Sequence, residues 1–155
     1  MIKKILIASD HAGLELKAQF LKNNPELPWK DLGPANAESV DYPDFAKKLC
    51  EILISLTPDQ AATEDAFNSG ITGILICGSG QGMAIKANRY PQIRAALCWN
   101  EEITRLSRNH NNANILCLGA RAISSEMAQR ILTSFLDSAF EGGRHSQRVA
   151  KLGAV

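Results

Sequence analysis

The sequence predicts one α/β domain built on a parallel β-sheet with helices covering both faces. Short apolar runs alternate with stretches whose apolar residues recur at helical spacing, and this alternation is typical of βαβ units. The strand-like runs are almost continuously apolar, as expected for strands buried on both sides. With 155 residues, 45% of them hydrophobic, the chain is long enough for a full core, and we predict a single domain over 1–155.

In the first half of the chain we expect two strand–helix pairs. The predicted order is a strand over 2–8, a helix with Leu14, Ala18 and Leu21 on its inner face, a short strand over 29–32, and a helix with Phe45, Leu49, Ile52 and Leu56 on its inner face. Residues 58–69 are polar and alanine-rich without a periodic stripe. There we expect a surface excursion with room for one helical turn.

In the second half we expect three strands and three helices, followed by a basic tail. The predicted order is a buried strand over 73–76, a helix that begins near Met83 after a glycine-rich turn, a buried strand over 93–99, a helix capped by Asn100, a strand over 114–118, and a helix with Met127, Ile131, Phe135 and Ala139 on one face that ends at Gly142-Gly143. Glu101 and Glu102 in the first turn of the Asn100-capped helix suit its dipole. Parallel sheets place ligands at the carboxyl ends of their strands. Polar residues cluster there, at 10–11, 77–82, 99–100 and 119–121.

Composition and charge exclude several classes of function. The formal net charge is +1, so the overall field attracts neither nucleic acid nor a membrane surface. No apolar segment has the length of a transmembrane helix, and the apolar start of the chain reaches Asp10 too soon for a signal peptide. The four cysteines form no C-x-x-C pair, so we expect reduced thiols, a cytoplasmic location and no structural metal site.

The stretch from Ile74 to Met83 is the strongest candidate for a functional site. A buried strand stops at Cys77, and Gly78, Gly80 and Gly82 then alternate with polar residues before good helix formers resume. Such a turn directs free backbone N–H groups and the positive end of a helix dipole at one point, which suits an anion and stabilises a thiolate. A catalytic base beside an anion site, a nucleotide-binding loop and a simple packing turn all remain open at this point.

Other polar residues have both a functional and a purely structural interpretation. Asp10 and His11 follow the first strand and make either a turn and helix cap or an acid–base pair. His110 lies in an asparagine-rich loop, where a solvated histidine is the simpler interpretation. Arg144 and Arg148 are four residues apart on one helical face and either are solvated or bind a phosphate. The remaining cysteines are expected to serve packing, and they are Cys50, Cys98 and Cys117.

Several short motifs together resemble one known family. They are Ser9-Asp10-His11-Ala12-Gly13, Asp41-Tyr42-Pro43, Ile76-Cys77-Gly78-Ser79-Gly80-Gln81-Gly82-Met83, Ser107-Arg108-Asn109-His110-Asn111, Leu118-Gly119-Ala120-Arg121 and Glu141-Gly142-Gly143-Arg144-His145-Ser146-Gln147-Arg148. The chain resembles the B-type ribose-5-phosphate isomerases, which are grouped with the galactose-6-phosphate isomerases of the lactose pathway. Each motif is weak alone, but together they run in family order over nearly the whole chain.

The resemblance implies a fold, an activity and an assembly. The implied fold is a Rossmann-like, three-layer αβα sandwich with a five-stranded parallel sheet. The implied activity is the interconversion of ribose 5-phosphate and ribulose 5-phosphate through a cis-enediolate, without a metal or an organic cofactor. The implied partners are a sugar phosphate and a second copy of the chain, in a homodimer that shares its active sites or in a tetramer.

The resemblance also implies roles for individual residues. Cys77 matches the base that moves the proton between C2 and C1, His110 matches the group that opens the sugar ring, and Ser79 keeps the hydroxyl of a usual threonine. The matching substrate contacts are Asp10, His11, Tyr42, Gly78, Ser79, Gly80, Gln81, Gly82, Asn111, Arg121, Arg144 and Arg148. Gln81 replaces a usually aliphatic residue, and the excursion at 58–69 is longer than expected for the family and has no assigned role.

Two rival functions remain open from the sequence. One is isomerisation of another phosphosugar, such as galactose 6-phosphate or allose 6-phosphate, because the depth of a pocket is not visible in a sequence. The other is a nucleotide-binding module that uses the same glycine-rich loop. The second lacks support, because the glycines do not form G-x-G-x-x-G and no P-loop Lys-Ser/Thr follows.

Overall fold

The computed structural model describes residues 1–62 and 64–153, which form a five-stranded parallel sheet between two layers of helices. The strands are β1 (Lys4–Ser9), β2 (Trp29–Asp31), β3 (Ile71–Cys77), β4 (Ala95–Leu97) and β5 (Ile115–Gly119). The helices are α1 (Leu14–Asn23), α2 (Tyr42–Leu56), α3 (Gln81–Ala87), α4 (Glu101–Asn109), α5 (Ser125–Asp137) and α6 (Arg144–Leu152), and a 3₁₀ turn covers Ala66–Ser69. This arrangement confirms the predicted αβα sandwich.

The two faces of the sheet bury separate apolar layers because successive strand residues point in opposite directions. In β1, Leu6 and Ala8 pack with α2 and α3, whereas Ile5 and Ile7 pack with α1 and α5. The side chains of all four are fully buried. The continuous apolar runs seen in the sequence are therefore strands covered on both sides, as predicted.

The strand order creates one crevice at the carboxyl edge of the sheet. The order is β2-β1-β3-β5-β4, with every neighbouring pair parallel. The chain leaves β1 toward α1 on one face and leaves β3 toward α3 on the other face. The adjacent carboxyl ends of β1 and β3 therefore form a topological switch point, where ligands bind in open α/β sheets.

The helix ends follow the sequence signals closely. Asn100 caps α4, because its side-chain oxygen accepts a hydrogen bond from the N–H of Ile103 at 2.9 Å. Ser124 caps α5 in the same way through the N–H of Met127 at 3.2 Å. The apolar helix face predicted to extend to Ala139 is too long, since α5 ends at Asp137. The basic tail that follows forms a separate helix, α6.

The inner faces of α1 and α2 are rotated from the predicted ones. In α1 the buried residues are Leu16, Lys17 and Phe20, whereas the prediction was Leu14, Ala18 and Leu21. In α2 the buried residues are Ala46, Leu49, Cys50 and Leu53, whereas the prediction was Phe45, Leu49, Ile52 and Leu56. Lys17 can be buried because its ammonium group donates to the carboxylate of Asp31 and to the carbonyl of Pro34, each at 2.7 Å. A tertiary ion pair thus overrides the apolar pattern.

The strand predicted over 93–99 is shorter and less buried than expected. Only Ala95–Leu97 forms β4, and its three residues are half-buried because β4 is an edge strand that pairs with β5 alone. Trp99, beyond its end, is 55% exposed. Among the residues that the structure describes, no helix is both long enough and apolar enough to span a lipid bilayer.

The prediction of a surface excursion over 58–69 is wrong for the second half of that segment. Ala66 is fully buried, and the 3₁₀ turn that begins there is the expected helical turn. The side chain of Asn112 accepts from the N–H of Ala66 at 2.8 Å and donates to the carbonyl of Ala62 at 3.0 Å. The carboxylate of Asp65 pairs with Arg108, which is fully buried and stacks on Phe67. Polar side chains from α4 and the loop after it therefore dock this segment.

Candidate active site

A cavity of about 500 Å³ opens at the switch point between β1 and β3. Seven of the residues singled out in the sequence line it, together with Ala122, and they are Asp10, Tyr42, Cys77, Gly78, Ser79, Gly82 and Arg121. They come from the ends of β1 and β3, the start of α2, the glycine-rich loop and the segment after β5. The parallel topology therefore brings together residues that are far apart in the sequence.

Cys77 lies at the carboxyl end of β3 and is 5% exposed. The backbone N–H of Gly80 donates a hydrogen bond to its Sγ at 3.1 Å. Cys77 therefore lines the cavity with its sulfur held by a backbone donor.

The other three cysteines have a different environment. Cys50, Cys98 and Cys117 are at most 1% exposed, and burial raises the pKa of each thiol, that of Cys50 to about 12. A thiol held in its neutral form inside the core is a packing residue. The prediction that these three cysteines serve packing is confirmed.

The glycine-rich loop offers free hydrogen-bond donors to the cavity. Within the described residues, the backbone N–H groups of Ser79 and Gly82 donate to no protein acceptor. The N–H of Gln81 donates to Oγ of Ser79 at 3.3 Å, which orients that hydroxyl. Gly80 adopts a left-handed conformation with φ of 76°, which allows the chain to turn sharply into α3. The loop therefore presents amides suited to a developing negative charge.

Tyr42 and Arg121 form two walls of the cavity. The ring of Tyr42 lies against Gly82 so closely that a Cβ there would come within 2.4 Å of it. A guanidinium nitrogen of Arg121 lies 3.3 Å from the place a Cβ of Gly78 would occupy. Glycine at 78 and 82 therefore lets an aromatic ring and a cation approach the backbone of the loop.

Asp10 takes part in a turn and also faces the cavity. Its carboxylate accepts the N–H of Gly13 at 2.9 Å, as in the structural interpretation, and the residue is 7% exposed. His11, next to it, is exposed, and its Nδ1 lies 3.5 Å from the N–H of Val40. The turn contact and the cavity position are compatible, so Asp10 has access to a ligand.

A second group of predicted residues lies at the end of α4 and the start of α6. The rings of His110 and His145 stack with centroids 4.3 Å apart and planes 8° from parallel. Oε2 of Glu141 lies 3.8 Å from Nε2 of His110 and 3.7 Å from Nε2 of His145. We call these three residues the histidine–glutamate cluster. Arg144 and Arg148 line a neighbouring cavity of about 520 Å³ with Gly143, Gln147 and Lys151.

The histidine–glutamate cluster has the residue types of a zinc site but not its geometry. The three ligand atoms lie within 4.8 Å of one another. Zinc needs imidazole lone pairs that converge on a point about 2 Å from each nitrogen. In two stacked, nearly parallel rings the lone pairs point side by side. The arrangement therefore does not fit zinc coordination.

Not all predicted site residues meet in one chain. His110, Arg144 and Arg148 line no part of the cavity that contains Cys77, and Asn111 lines another cavity of about 430 Å³ with Asn88, Tyr90 and Arg94 among others. Sequence reasoning gave no role to Glu141 and His145 in the histidine–glutamate cluster. Their signals in the sequence were their place in the last family motif and their four-residue spacing.

Comparison with known proteins places these sites in a family. The family model described as Ribose/Galactose Isomerase matches residues 5–152. The chain belongs to this family. A putative sugar phosphate isomerase of Rickettsia conorii is 43% identical over 150 residues, with 96% of each chain covered.

Solved structures of the family resemble this one along their whole length. A ribose 5-phosphate isomerase from Thermotoga maritima superimposes with a TM-score of 0.87 at 45% identity, and 98% of each chain is covered. Ribose-5-phosphate isomerase B from Mycoplasma genitalium, solved with bound ribulose 5-phosphate, has a TM-score of 0.84 at 37% identity and covers 96% of this chain and 93% of its own. The family resemblance read from the sequence motifs is confirmed.

Proposed function

We propose that this chain interconverts ribose 5-phosphate and ribulose 5-phosphate by proton transfer, and that residues 1–155 act as one catalytic domain. The observation that carries the proposal is Cys77 Sγ in the switch-point cavity, hydrogen-bonded to the N–H of Gly80 beside unpartnered loop amides. Such a set suits removal of a proton next to a carbonyl. Family membership and the ribulose 5-phosphate bound by the relative from Mycoplasma genitalium support the same substrate.

In the proposed reaction Cys77 carries one proton between two carbons. Its thiolate removes the proton from C2 of the open-chain aldose, and the electron pair of that C–H bond forms the C1–C2 double bond of a cis-enediolate with negative charge on O1. The proton of the O2 hydroxyl passes to O1, the thiol returns its proton to C1, and the electron pair left on O2 re-forms the carbonyl at C2. The N–H groups of Ser79 and Gly82 and the hydroxyl of Ser79 stabilise the enediolate oxygens.

His110 is the proposed group for opening the sugar ring. Ring opening removes the proton of the anomeric hydroxyl and delivers one to the ring oxygen, which an imidazole near neutrality can do. We propose that Asp10, His11, Tyr42, Gln81, Asn111 and Arg121 contact the sugar. No organic cofactor or metal has a part in these steps.

Phosphate binding and ring opening are proposed to come from a second copy of the chain. His110, Arg144 and Arg148 lie outside the cavity of Cys77, so a complete site needs the two regions to meet across a subunit interface. Two arginines on one face of α6 match the forked geometry of a phosphate. We therefore propose a homodimer with shared active sites, alone or as half of a tetramer.

An isomerase assay over a panel of sugar phosphates tests the proposed function. Purified protein should convert ribose 5-phosphate with a higher kcat/KM than galactose 6-phosphate or allose 6-phosphate. Preference for a six-carbon substrate would replace the proposed one with its nearest rival, which the family description includes. Nucleotide titration tests the other rival, and nucleotide binding without isomerase activity would overturn the proposal.

The cysteines support a proposed cytoplasmic location. All four thiols are free, and each is buried in the fold. Reduced cysteines are usual in a compartment kept reducing by cellular thiols. Fractionation of the native cells, with activity measured in each fraction, would test this proposal.

A further inference from the structure

The histidine–glutamate cluster contains two residues for which the proposed chemistry has no role. Oε2 of Glu141 faces Nε2 of both His110 and His145, at 3.8 and 3.7 Å. His145 also covers one face of the His110 ring by stacking. His110 is therefore constrained along one edge by a carboxylate and over one face by an imidazole.

We propose that Glu141 and His145 are positioning residues that fix the tautomer and ring plane of His110 for ring opening. The inference rests on the proposed ring-opening role of His110. It assigns Nε2 of His110 to the carboxylate and leaves Nδ1 as the atom that exchanges a proton with the sugar. Neither Glu141 nor His145 needs to touch the substrate.

Glu141 is itself held in place for this task. Its Oε1 accepts a hydrogen bond from the side-chain amide of Asn109 at 3.1 Å, and its backbone N–H donates to the carbonyl of Asn109 at 3.0 Å. Both contacts are made to the residue that directly precedes His110. Because Oε1 is occupied, Oε2 is the oxygen turned toward the imidazoles. The carboxylate is therefore tied to the residue next to His110 by two hydrogen bonds.

The carboxylate of Glu141 also supports the charge that His110 acquires. A carboxylate beside Nε2 favours the tautomer protonated there and stabilises the imidazolium that forms when Nδ1 takes a proton. The separation of 3.8 Å exceeds a hydrogen bond in the free protein. Catalytic hydrogen bonds commonly tighten only when the substrate is bound and charge develops. We expect the Nε2–Oε2 contact to shorten at that stage.

His145 differs from His110 in burial and charge. Its side chain is 8% exposed, against 38% for His110. Burial lowers the pKa of His145, the cationic forms of His110, Arg144 and Arg148 lower it further, and Glu141 opposes them. A neutral His145 leaves the carboxylate to His110 and adds no second positive charge to the stack. At lower pH His145 becomes protonated, and its imidazolium then competes with His110 for the carboxylate of Glu141.

Glu141→Gln tests the carboxylate, because it removes the charge and keeps the shape. We expect kcat for ribose 5-phosphate to fall about tenfold, a part of the roughly 10²–10⁴-fold that general acid–base catalysis supplies. Ribulose 5-phosphate cannot close a ring, because its O5 carries the phosphate. Exchange of its C1 proton with deuterated solvent should therefore stay near the wild-type rate. Equal losses in both assays would overturn the inference.

Glu101→Gln is the matched control. Glu101 is 52% exposed and Glu141 is 53% exposed, and Glu101 pairs with Arg130 at 3.2 Å, away from both histidines. This variant should keep the wild-type kcat in both assays. His145→Phe, which retains an aromatic ring on His110 without a titrating group, should keep most of the activity, whereas His145→Ala should lower kcat. Identical behaviour of the two His145 variants would contradict a stacking role.

A double-mutant cycle separates positioning from general stability. In a His110→Ala background, Glu141→Gln should cause no further loss of kcat, because its effect acts through His110. Additive losses would overturn the inference.

Nitrogen-15 NMR of the imidazoles supplies a readout independent of activity. The wild type should show His110 protonated at Nε2, and Glu141→Ala should show a tautomer mixture, while an unchanged tautomer would contradict the inference. If the wild type does not isomerise ribose 5-phosphate, the proposed function fails, and this NMR result still decides the positioning.

Discussion

At the scale of single residues, the four cysteines show how one side chain acquires different chemistry from its surroundings. Burial raises the pKa of Cys50, Cys98 and Cys117 and keeps these thiols neutral. Cys77 ends a strand at the cavity and receives the N–H of Gly80. The sequence distinguished Cys77 from the other three, because only Cys77 directly precedes a glycine-rich turn.

Replacing Cys77 by alanine should remove proton transfer and leave binding intact. We expect kcat to fall by at least about 10²-fold, as for loss of a general base. Solvent deuterium should no longer enter C1 of ribulose 5-phosphate. Cys77→Ser should also be slow, because a hydroxyl is far less acidic than a thiol. Cys98→Ala, at a thiol that is 1% exposed and outside the cavity, is the control and should exchange normally. Wild-type exchange in Cys77→Ala would contradict the assignment of the base.

Replacing His110 by alanine should separate ring opening from proton transfer between carbons. Isomerisation of ribose 5-phosphate, which is mostly cyclic, should lose about 10²–10⁴-fold, the usual contribution of an acid–base group. Exchange at C1 of ribulose 5-phosphate, which is always open, should lose much less. The two assays on one variant serve as mutual controls. Parallel losses would show that His110 acts on the enediolate rather than on the ring.

At the scale of elements, the glycine-rich loop depends on its backbone conformation at Gly80. A Cβ at this position would come within 2.4 Å of Leu97 Cδ1 and 2.9 Å of the carbonyl carbon of Leu118, and φ is 76°. The loop therefore packs against both β4 and β5 at Gly80, and its backbone there is left-handed. Both features are needed to aim its amides at the cavity.

Gly80→Ala should destabilise the fold by about 2–5 kcal/mol, the sum of left-handed strain and overpacking. Gly142→Ala is the matched control, since φ there is 66° and the nearest atom to the added Cβ, Oγ of Ser146, lies at an ordinary contact distance of 3.8 Å. It should cost only the strain, about 1–2 kcal/mol. Urea unfolding of both variants measures the difference. Equal costs would show that the contacts with Leu97 and Leu118 relax freely.

The docked segment before β3 depends on an ion pair that no helical or strand pattern indicated. Arg108 is fully buried, and Asp65 is 22% exposed. Asp65→Asn should therefore lower stability by about 3 kcal/mol, the low end of the range for a broken buried pair. Glu51→Gln, which breaks the exposed pair with Lys47, is the control and should cost at most about 1 kcal/mol. Matching losses in urea unfolding would contradict a special role for Asp65.

The same pair predicts a pH dependence of stability. Burial alone would raise the pKa of Asp65, but the N–H groups of Phe67 and Phe140 and the charge of Arg108 outweigh it and hold that pKa below its usual value. The stabilisation is therefore complete above about pH 4, where the unfolded carboxyl is ionised, and is lost as pH falls through the lowered pKa. Asp65→Asn should flatten this part of the curve. An unchanged acid limb in the variant would exclude Asp65 as its source.

At the scale of the whole molecule, the proposed site is divided between two regions of one chain. Arg148→Ala should raise KM for ribose 5-phosphate about tenfold to a hundredfold, since a charge-assisted contact is worth about 1.5–3 kcal/mol. Arg130→Ala removes a surface arginine that is 55% exposed and lies outside the cavity of Arg148, and it should leave KM unchanged.

Mixing Arg148→Ala protomers with Cys77→Ala protomers tests whether the two regions meet across subunits. If they do, a mixed dimer regains one site with both Cys77 and Arg148 intact, and activity returns. If both residues serve the same chain, each site keeps one defect. Subunit exchange must be verified by mass spectrometry of the native complex. Exchange without recovered activity would count against the shared site.

The sequence by itself determined the layers of the fold and the place of the switch-point cavity. Apolar runs fixed which segments are strands, and the carboxyl ends of parallel strands must meet at one edge, so Asp10 and Cys77 could be brought together without coordinates. The motifs also identified the family. The apolar periodicity did not predict the buried face of α1, because Lys17 is buried there through its contact with Asp31.

Only the tertiary structure decided which polar side chains face one another. The stacking of His110 on His145, the carboxylate of Glu141 beside Nε2 of both rings and the pairing of Asp65 with Arg108 join residues from different elements. Such contacts depend on the relative placement of α4, α6 and the segment before β3, and local propensity carries no information about that placement. The tertiary structure likewise separated His110 and Arg148 from the cavity of Cys77, because side chains on different elements share a cavity only when packing brings those elements together.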